Sequence, residues 1–183
     1  AAIGSDHHEL IVDESAVSFL RRVGTLQDEP NGDVSCFPTY YLSKLVREHV
    51  TVAISGDGGD EMFGGYGRYF QTLDGVATRP FGAFGREYYS GRILVMSELE
   101  IRSLFGGVPP SLRSHVEALR SGLDAHRGSE LAAMRETDAA NYLPGAVLAK
   151  VDRMSMQHSL EVRTPFLAPD VARFAASLPA RLL

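Results

Sequence analysis

An α/β fold, a parallel sheet with a mostly helical C-terminal half, is predicted by three features of this sequence. Val50–Ser55 reads VTVAIS, a short β-branched run of the kind that forms a strand buried on both faces. The order strand, helix, loop, helix precedes it, and that succession builds parallel α/β units. Beyond residue 66 the apolar residues recur at helical spacing almost to the end. With 183 residues the chain has room for one domain, at roughly 100–200 residues per domain.

The first strand is read at His7–Val12 (HHELIV), and Asp13 caps the helix DESAVSFLRRV that follows. Gln27–Phe37, QDEPNGDVSCF, is dense in turn formers and predicts a loop. Pro38 suits a first helical turn, and Tyr41, Leu42, Leu45 and Val46 then make one stripe that packs on the sheet. After Val50–Ser55, one further strand candidate is Ile93–Met96. Helices are predicted over 109–123, with Leu112, Val116, Leu119 and Leu123 on one face, and over 129–142, capped by Ser129 and carrying Leu131 and Met134. Pro144 marks a helix boundary. A helix over 145–158 runs through Val147, Val151 and Met154, and the last, over 169–177, opens at Pro169 and uses Val171, Phe174 and Ala175. Only about two strands emerge where sheets usually have four to six, so the sheet reads as incomplete, with an apolar edge that a homodimer would cover.

Composition excludes several classes. Lys and Arg number 18 against 23 Asp and Glu, for a net charge of -5, and 44% of residues are apolar and 22% charged; this balance argues against disorder and against a basic nucleic-acid surface. The single cysteine, Cys36, excludes an internal disulfide or a Cys-rich zinc module and suits a reducing compartment. No run approaches the 18 or more apolar residues of a membrane span, and AAIGSDHHEL lacks the features of a signal peptide. A cytoplasmic protein that engages neither nucleic acid nor membrane is expected.

Chemistry concentrates at Ser55-Gly56-Asp57-Gly58-Gly59-Asp60-Glu61, directly after the predicted strand. A strand end opening into a glycine-rich turn is where α/β sheets bind ligands. Gly56, Gly58 and Gly59 permit main-chain N–H groups to approach a phosphate or ribose. Asp57, Asp60 and Glu61 supply hard oxygen ligands suited to Mg²⁺ held by one or two carboxylates plus waters and phosphate oxygens. The lysine of a Walker A loop is missing, and the spacing is not that of an EF-hand. The same residues also suit a plain solvated turn.

A second group is Lys150, Asp152, Glu161 and Arg163, ionisable residues among apolar neighbours, which read as a salt-bridged scaffold in preference to direct catalysis. Asp138 shares a helical face with Leu131 and Met134 and is either a buried partner of one of the nearby arginines or an inward-facing functional acid. His7 and His8 are adjacent on a strand and point to opposite faces, against a shared metal. Cys36 reads as a buried, inert thiol, and MFGGYGRYF as a packed corner with polar tips.

Three blocks stand in order: DEPNGDVSCFPTYYLSKLVREHVTVA, SGDGGDEMFGGYGRY and YLPGAVLAKVDRMSMQHSLEVRTPFL. On them the chain resembles the synthetase domain of glutamine-hydrolysing asparagine synthetases from SDHHEL to the C-terminus, with residues 75–130 matching in general character only. The resemblance implies an adenine-nucleotide α-hydrolase-like (PP-loop ATP pyrophosphatase) parallel sheet, with ATP and Mg²⁺ as cofactors. It implies conversion of aspartate to asparagine through β-aspartyl-AMP, with attack by ammonia and release of AMP and pyrophosphate. Carried over residue by residue, Ser55, Gly56, Asp57 and Gly58 form the nucleotide contacts and Asp60 binds Mg²⁺. Asp57 stands where the family has an acid, often glutamate, that takes a proton from ammonia; here it is one methylene shorter.

The sequence also departs from that pattern. The family's Ser-Gly-Gly-x-Asp-Ser pyrophosphate loop, the lysine segment that follows its PFLD motif, and the N-terminal glutaminase domain have no counterpart in these 183 residues, so the resemblance implies a partial synthetase domain, inactive by itself. Gly145-Ala146 replaces the usual Asp-Asp pair after YLP, and Ala168 ends PFLA where the family has PFLD. Two alternatives stay open: a related amidotransferase acting on another carboxylate, in β-lactam, sugar or peptide modification, and a non-catalytic module.

Overall fold

Glycine and proline punctuate a chain that is otherwise helical over most of its length. The computed structural model describes residues 4–9, 11–12, 25–28, 32–77, 84–94 and 96–183. These fall into two units, Ala1–Gly56 with Pro144–Pro165, and Asp57–Leu143 with Phe166–Leu183.

In the first unit, helix α1 (Cys36–Arg47) is followed by strand β1 (Val52–Ile54), and further along the chain come helix α7 (Ala149–Met156) and strand β2 (Glu161–Arg163). The two strands pair in parallel, with Val52 opposite Glu161 and Ile54 opposite Arg163. The Ser55 N–H donates to the Arg163 carbonyl at 2.9 Å, carrying the ladder one residue past the strand. α1 packs on α7 and α7 on β2, around Cys36 and Met154 with Phe37, Tyr40 and Tyr41 against them. Pro38 lies in the first turn of α1, where an N–H has no helical acceptor and its loss costs nothing. Ser43 is buried within α1 because its hydroxyl donates to the Thr39 carbonyl one turn back, at 2.7 Å. Between α7 and β2 the chain reverses at Ser159, which adopts positive φ (56°) without being glycine. Arg47 braces that turn, its Nε donating to the Ser159 carbonyl at 3.1 Å.

Ahead of α1, Asp33 organises the entry to the helix. One carboxylate oxygen accepts from the Ser35 N–H at 2.8 Å and from its hydroxyl at 2.6 Å, and the other pairs with Lys150 Nζ at 3.1 Å. Burial pushes the Asp33 carboxyl up, but the bonds from Ser35 and Lys150 outweigh it and hold the group below its ordinary 3.8.

The regular elements among the described residues of the second unit are helical: α2 (Gly59–Phe63), α3 (Gly67–Ala77), a π-helix π1 (Arg86–Ile93), α4 (Glu98–Phe105), α5 (Pro110–Ala125), α6 (Glu130–Thr137) and α8 (Pro169–Ser177). A second π-helix, π2 (Asp138–Leu148), joins α6 to α7, and the boundary between the units falls within it. Tyr69, Tyr88, Leu123, Leu131 and Met134 form the core, drawn from α3, π1, α5 and α6. Each cap has a local cause. Ser97 and Glu100 form a reciprocal capping box on α4, and the Ser129 hydroxyl accepts from the Ala132 N–H at the start of α6. π1 approaches α5 closely at Gly85, where any Cβ would overlap the Arg120 carbonyl.

The core of this unit contains a charge. Asp138, 2% exposed, accepts at Oδ2 from Arg68 Nη2 at 2.6 Å, from the Tyr69 hydroxyl at 2.8 Å and from the Tyr88 hydroxyl. Burial and the Asp138 charge push both tyrosine hydroxyls far up, so they remain donors. Burial opposes the Arg68 charge, but its bonds with Tyr88 and Asp138 override that and hold the guanidinium above its ordinary value. The Arg68 carbon lies 3.5 Å above the Tyr66 ring and 4.6 Å from that of Tyr142.

Several expectations change. The predicted helix over 13–23 lies outside the described residues. Of His7–Val12, the described residues form no strand; the partner of β1 is Glu161–Arg163, which sequence reading left unassigned. β1 is not buried on both faces: Val52 and Ile54 are exposed and only Ala53 is half-buried, since a single neighbouring strand covers little. Ile93–Met96 is no strand among its described residues, because π1 runs through Ile93. Pro144 does not end a helix but sits inside π2, where it supplies no donor and the wider turn accommodates it. No helix among the described residues is long and apolar enough to cross a membrane.

Two predictions follow from the buried charges. Asp138→Ala strands the Arg68 guanidinium in the core and is expected to cost about 3–5 kcal/mol in urea unfolding. The depressed Asp33 carboxyl contributes stability that is complete above its ordinary 3.8 and is lost as pH falls through its lower folded value. Thermal unfolding between pH 6 and pH 2 is therefore expected to decline less steeply for Asp33→Asn than for the parent chain.

Candidate functional site

The glycine and acid run follows β1, and its residues take different paths. In the first unit, Ser55 is half-buried and commits its N–H to Arg163. Gly56 is exposed, and a Cβ there would meet nothing within 4 Å.

In the second unit, Gly58 is the N-cap of α2 with φ 85°, and a Cβ would overlap the Leu167 side chain. This position alone in the run needs glycine for its backbone angle. Gly59 approaches the Phe166 ring instead, where a Cβ would lie 3.3 Å away. Sequence reading gave all three glycines the same conformational role; Gly56 has neither a positive φ nor a close neighbour.

The three carboxylates also separate. Asp60 and Glu61 occupy the first turn of α2, where acids complement the helix dipole. Adjacent helical residues point in different directions, so Asp60 is exposed while Glu61 is 1% exposed. Asp60 makes no side-chain hydrogen bond or ion pair among the described residues. Glu61 Oε1 accepts from the Tyr66 hydroxyl at 2.7 Å, whose proton is held by burial and by that bond. Asp57 is half-buried. No group of three His, Cys, Asp or Glu side chains among the described residues is placed to hold a metal. Glu61 is turned inward, away from the exposed Asp60 carboxylate, by its burial and its bond to Tyr66.

A residue that sequence reading missed holds this corner together. Arg135, on α6, donates to the main-chain carbonyls of Glu61 at 3.0 Å, of Ala175 at 3.4 Å, and of Met62. α2 is too short to satisfy its own carbonyls, and the guanidinium does so from a neighbouring helix. Burial pulls the Arg135 group below its ordinary value. In sequence Arg135 lies between Met134 and Glu136 in MRET, and nothing in that local pattern marks its partners.

The other candidates are accounted for. Of Lys150, Asp152, Glu161 and Arg163, only Lys150 is well buried, paired with Asp33. Asp152 bonds the neighbouring Arg153, and Glu161 bonds Arg163 at 2.7 Å, both at the surface; these are surface pairs and not a buried scaffold. Asp138 is a buried partner, but of Arg68, seventy residues upstream. His7 and His8 are exposed beside Glu9 and Asp6. Cys36 is a free, buried thiol, pushed up first by burial and then by the Asp33 charge.

Comparison with known proteins supplies the context. The chain matches the asparagine synthase family over residues 1–183. It is 30% identical over 213 aligned residues to a Mycobacterium tuberculosis protein provisionally named a glutamine-hydrolyzing asparagine synthetase, covering 98% of this chain and 32% of the relative. It is 28% identical over 211 residues to asparagine synthetase (glutamine-hydrolyzing) 1 of Bacillus subtilis, covering 100% of this chain and 33% of the relative. The chain thus spans about a third of the length of these curated relatives. No solved structure matches it.

The contrast between Gly56 and Gly58 is directly testable. Gly58→Ala is expected to destabilise by about 1–3 kcal/mol through its positive φ, with more from the overlap with Leu167. Gly56→Ala is expected to stay within about 0.5 kcal/mol of the parent chain in the same urea titration.

Proposed function

The chain belongs to the asparagine synthase family, and from that membership we propose that it supplies part of a cytoplasmic ATP-dependent synthetase domain converting aspartate to asparagine. The fold proposed for the complete domain is the PP-loop ATP pyrophosphatase sheet, of which β1 and β2 are two parallel strands. In the first step an oxygen of the aspartate β-carboxylate attacks the α-phosphorus of ATP. The bond to the β-phosphate breaks, and pyrophosphate leaves with the electron pair. Ammonia, released from glutamine elsewhere in the longer enzyme, then attacks the acyl carbon of β-aspartyl-AMP. AMP leaves, and the nitrogen gives up a proton to yield the amide.

The residues proposed for this chemistry are those of the strand-end turn. Ser55, Gly56, Asp57 and Gly58 cradle the nucleotide, and Asp57 accepts the proton from the attacking nitrogen. Asp60 holds Mg²⁺. The observation that carries the reading is the exposed Asp60 carboxylate, without a side-chain partner among the described residues, in the first turn after the glycine cap. A single hard carboxylate suits Mg²⁺, which keeps waters and takes its remaining ligands from phosphate oxygens. The ion, when bound, neutralises phosphate charge during adenylation.

Gly145-Ala146, in place of the family's acidic pair, favours a second reading, in which the same adenylation acts on a carboxylate other than aspartate. Pyrophosphate release from MgATP across a panel of carboxylates separates the two readings. In the full-length protein, release is expected to depend on aspartate, and Asp60→Asn is expected to lower aspartate-dependent ATP–pyrophosphate exchange by roughly 10²–10³-fold. Exchange retained in that variant would remove Asp60 from the reaction.

A further inference from the structure

The second unit also holds a cavity of about 630 Å³, walled by π1, α4 and α5. It lies within the stretch of sequence that carries none of the three motif blocks, and it involves no residue of the strand-end turn. Its volume falls within the roughly 300–1,000 Å³ of small-molecule sites. Leu94, Ile101, Leu112 and Val116 give it an apolar wall, and Ile101 and Val116 are buried.

The wall carries three glutamates and three arginines, Arg86, Arg113 and Arg120, and two further arginines, Arg92 and Arg102, adjoin it. Glu87, Glu98 and Glu117 line the cavity, and each is already held by an arginine: Arg92 at 3.4 Å, Arg102 at 2.7 Å and Arg120 at 3.1 Å. Arg120 is further engaged by the Ser90 hydroxyl. Two more arginines, Arg86 and Arg113, line the same cavity and make no hydrogen bond or ion pair among the described residues. The three acids form their ion pairs with Arg92, Arg102 and Arg120, so Arg86 and Arg113 stand outside those pairs, Arg113 within the field of Glu98.

We propose that this cavity binds a small amphipathic carboxylate, its anionic head paired with Arg86 and Arg113 and its hydrocarbon body laid on Leu94, Ile101, Leu112 and Val116. A guanidinium matches a carboxylate through two parallel N–H bonds, and apolar contact supplies affinity without fixing one chain shape. A cation of the same shape meets surplus positive charge, and a neutral molecule leaves both arginines unpaired.

The test is a titration of the chain with octanoate, octanol and octylamine, followed by amide chemical shifts. Octanoate is expected to saturate at one equivalent with shifts confined to π1, α4 and α5, to bind at least tenfold more tightly than octanol, and to gain about threefold to fourfold in affinity per methylene over hexanoate. The double variant Arg86→Gln, Arg113→Gln is expected to lose tenfold or more for octanoate while its octanol affinity stays unchanged and its unfolding midpoint shifts little, because neither arginine makes a hydrogen bond or ion pair among the described residues and the Glu98 charge keeps Arg102. Octylamine binding as well as octanoate, unchanged octanoate affinity in the double variant, shifts centred elsewhere, or no saturable binding would each overturn the proposal.

Discussion

One carboxylate in the core organises the second unit. Asp138 gathers the guanidinium of Arg68 and the hydroxyls of Tyr69 and Tyr88 onto a single oxygen, and those donors come from α3 and π1. An ionised carboxylate out of water costs several kcal/mol unless partners compensate it, so the three donors must arrive together or not at all. That requirement fixes the rotation of α3, since Arg68 and Tyr69 are adjacent and both must reach the same oxygen. It also places π1, because Tyr88 donates only if the helix keeps its register. The rings of Tyr66 and Tyr142 then flank the Arg68 guanidinium, which extends the cluster to the corner beside α2.

At that corner the structure solves a different problem. α2 has five residues, too few to satisfy its own backbone groups. Gly58 starts it in a left-handed conformation, Gly64 ends it in another, and Arg135 caps its carbonyls from α6. Each device is local and cheap, and together they hold a short helix at the end of a glycine turn. α2 is therefore held by the glycines at its two ends and by a guanidinium from a neighbouring helix.

Much of this was legible in the sequence, for reasons that differ by element. Helices over 109–123 and 169–177 follow from apolar period and an opening proline, and the structure has them at Pro110–Ala125 and Pro169–Ser177. Ser129 caps α6 as its sequence position indicates, because the cap uses residues three apart. β1 was found within VTVAIS, but its partner was not: EVR is three residues with charged ends, and only pairing to a distant strand makes it extended. π2 hides for a related reason, as DAANYLPGAVL has helical composition and a proline that reads as a stop. The roles of Asp138 and Arg135 depend on partners up to seventy-four residues away, and no local period reports them.

The same distinction divides the strand-end motif itself. Glu61 bonds Tyr66 in the interior and serves the fold, and the missing Cβ of Gly58 makes room for Leu167. Gly56 stands in open space and Asp60 is exposed, so these two remain available to a ligand. Linear sequence shows glycines and acids alternating with no mark of which is which. The helical step of about 100° between Asp60 and Glu61 sends one carboxylate out and one in. A motif of seven residues thus carries two sets of constraints, one set by packing and one left open for chemistry. Mg²⁺ in general needs only one or two protein carboxylates, because phosphates and waters complete its shell.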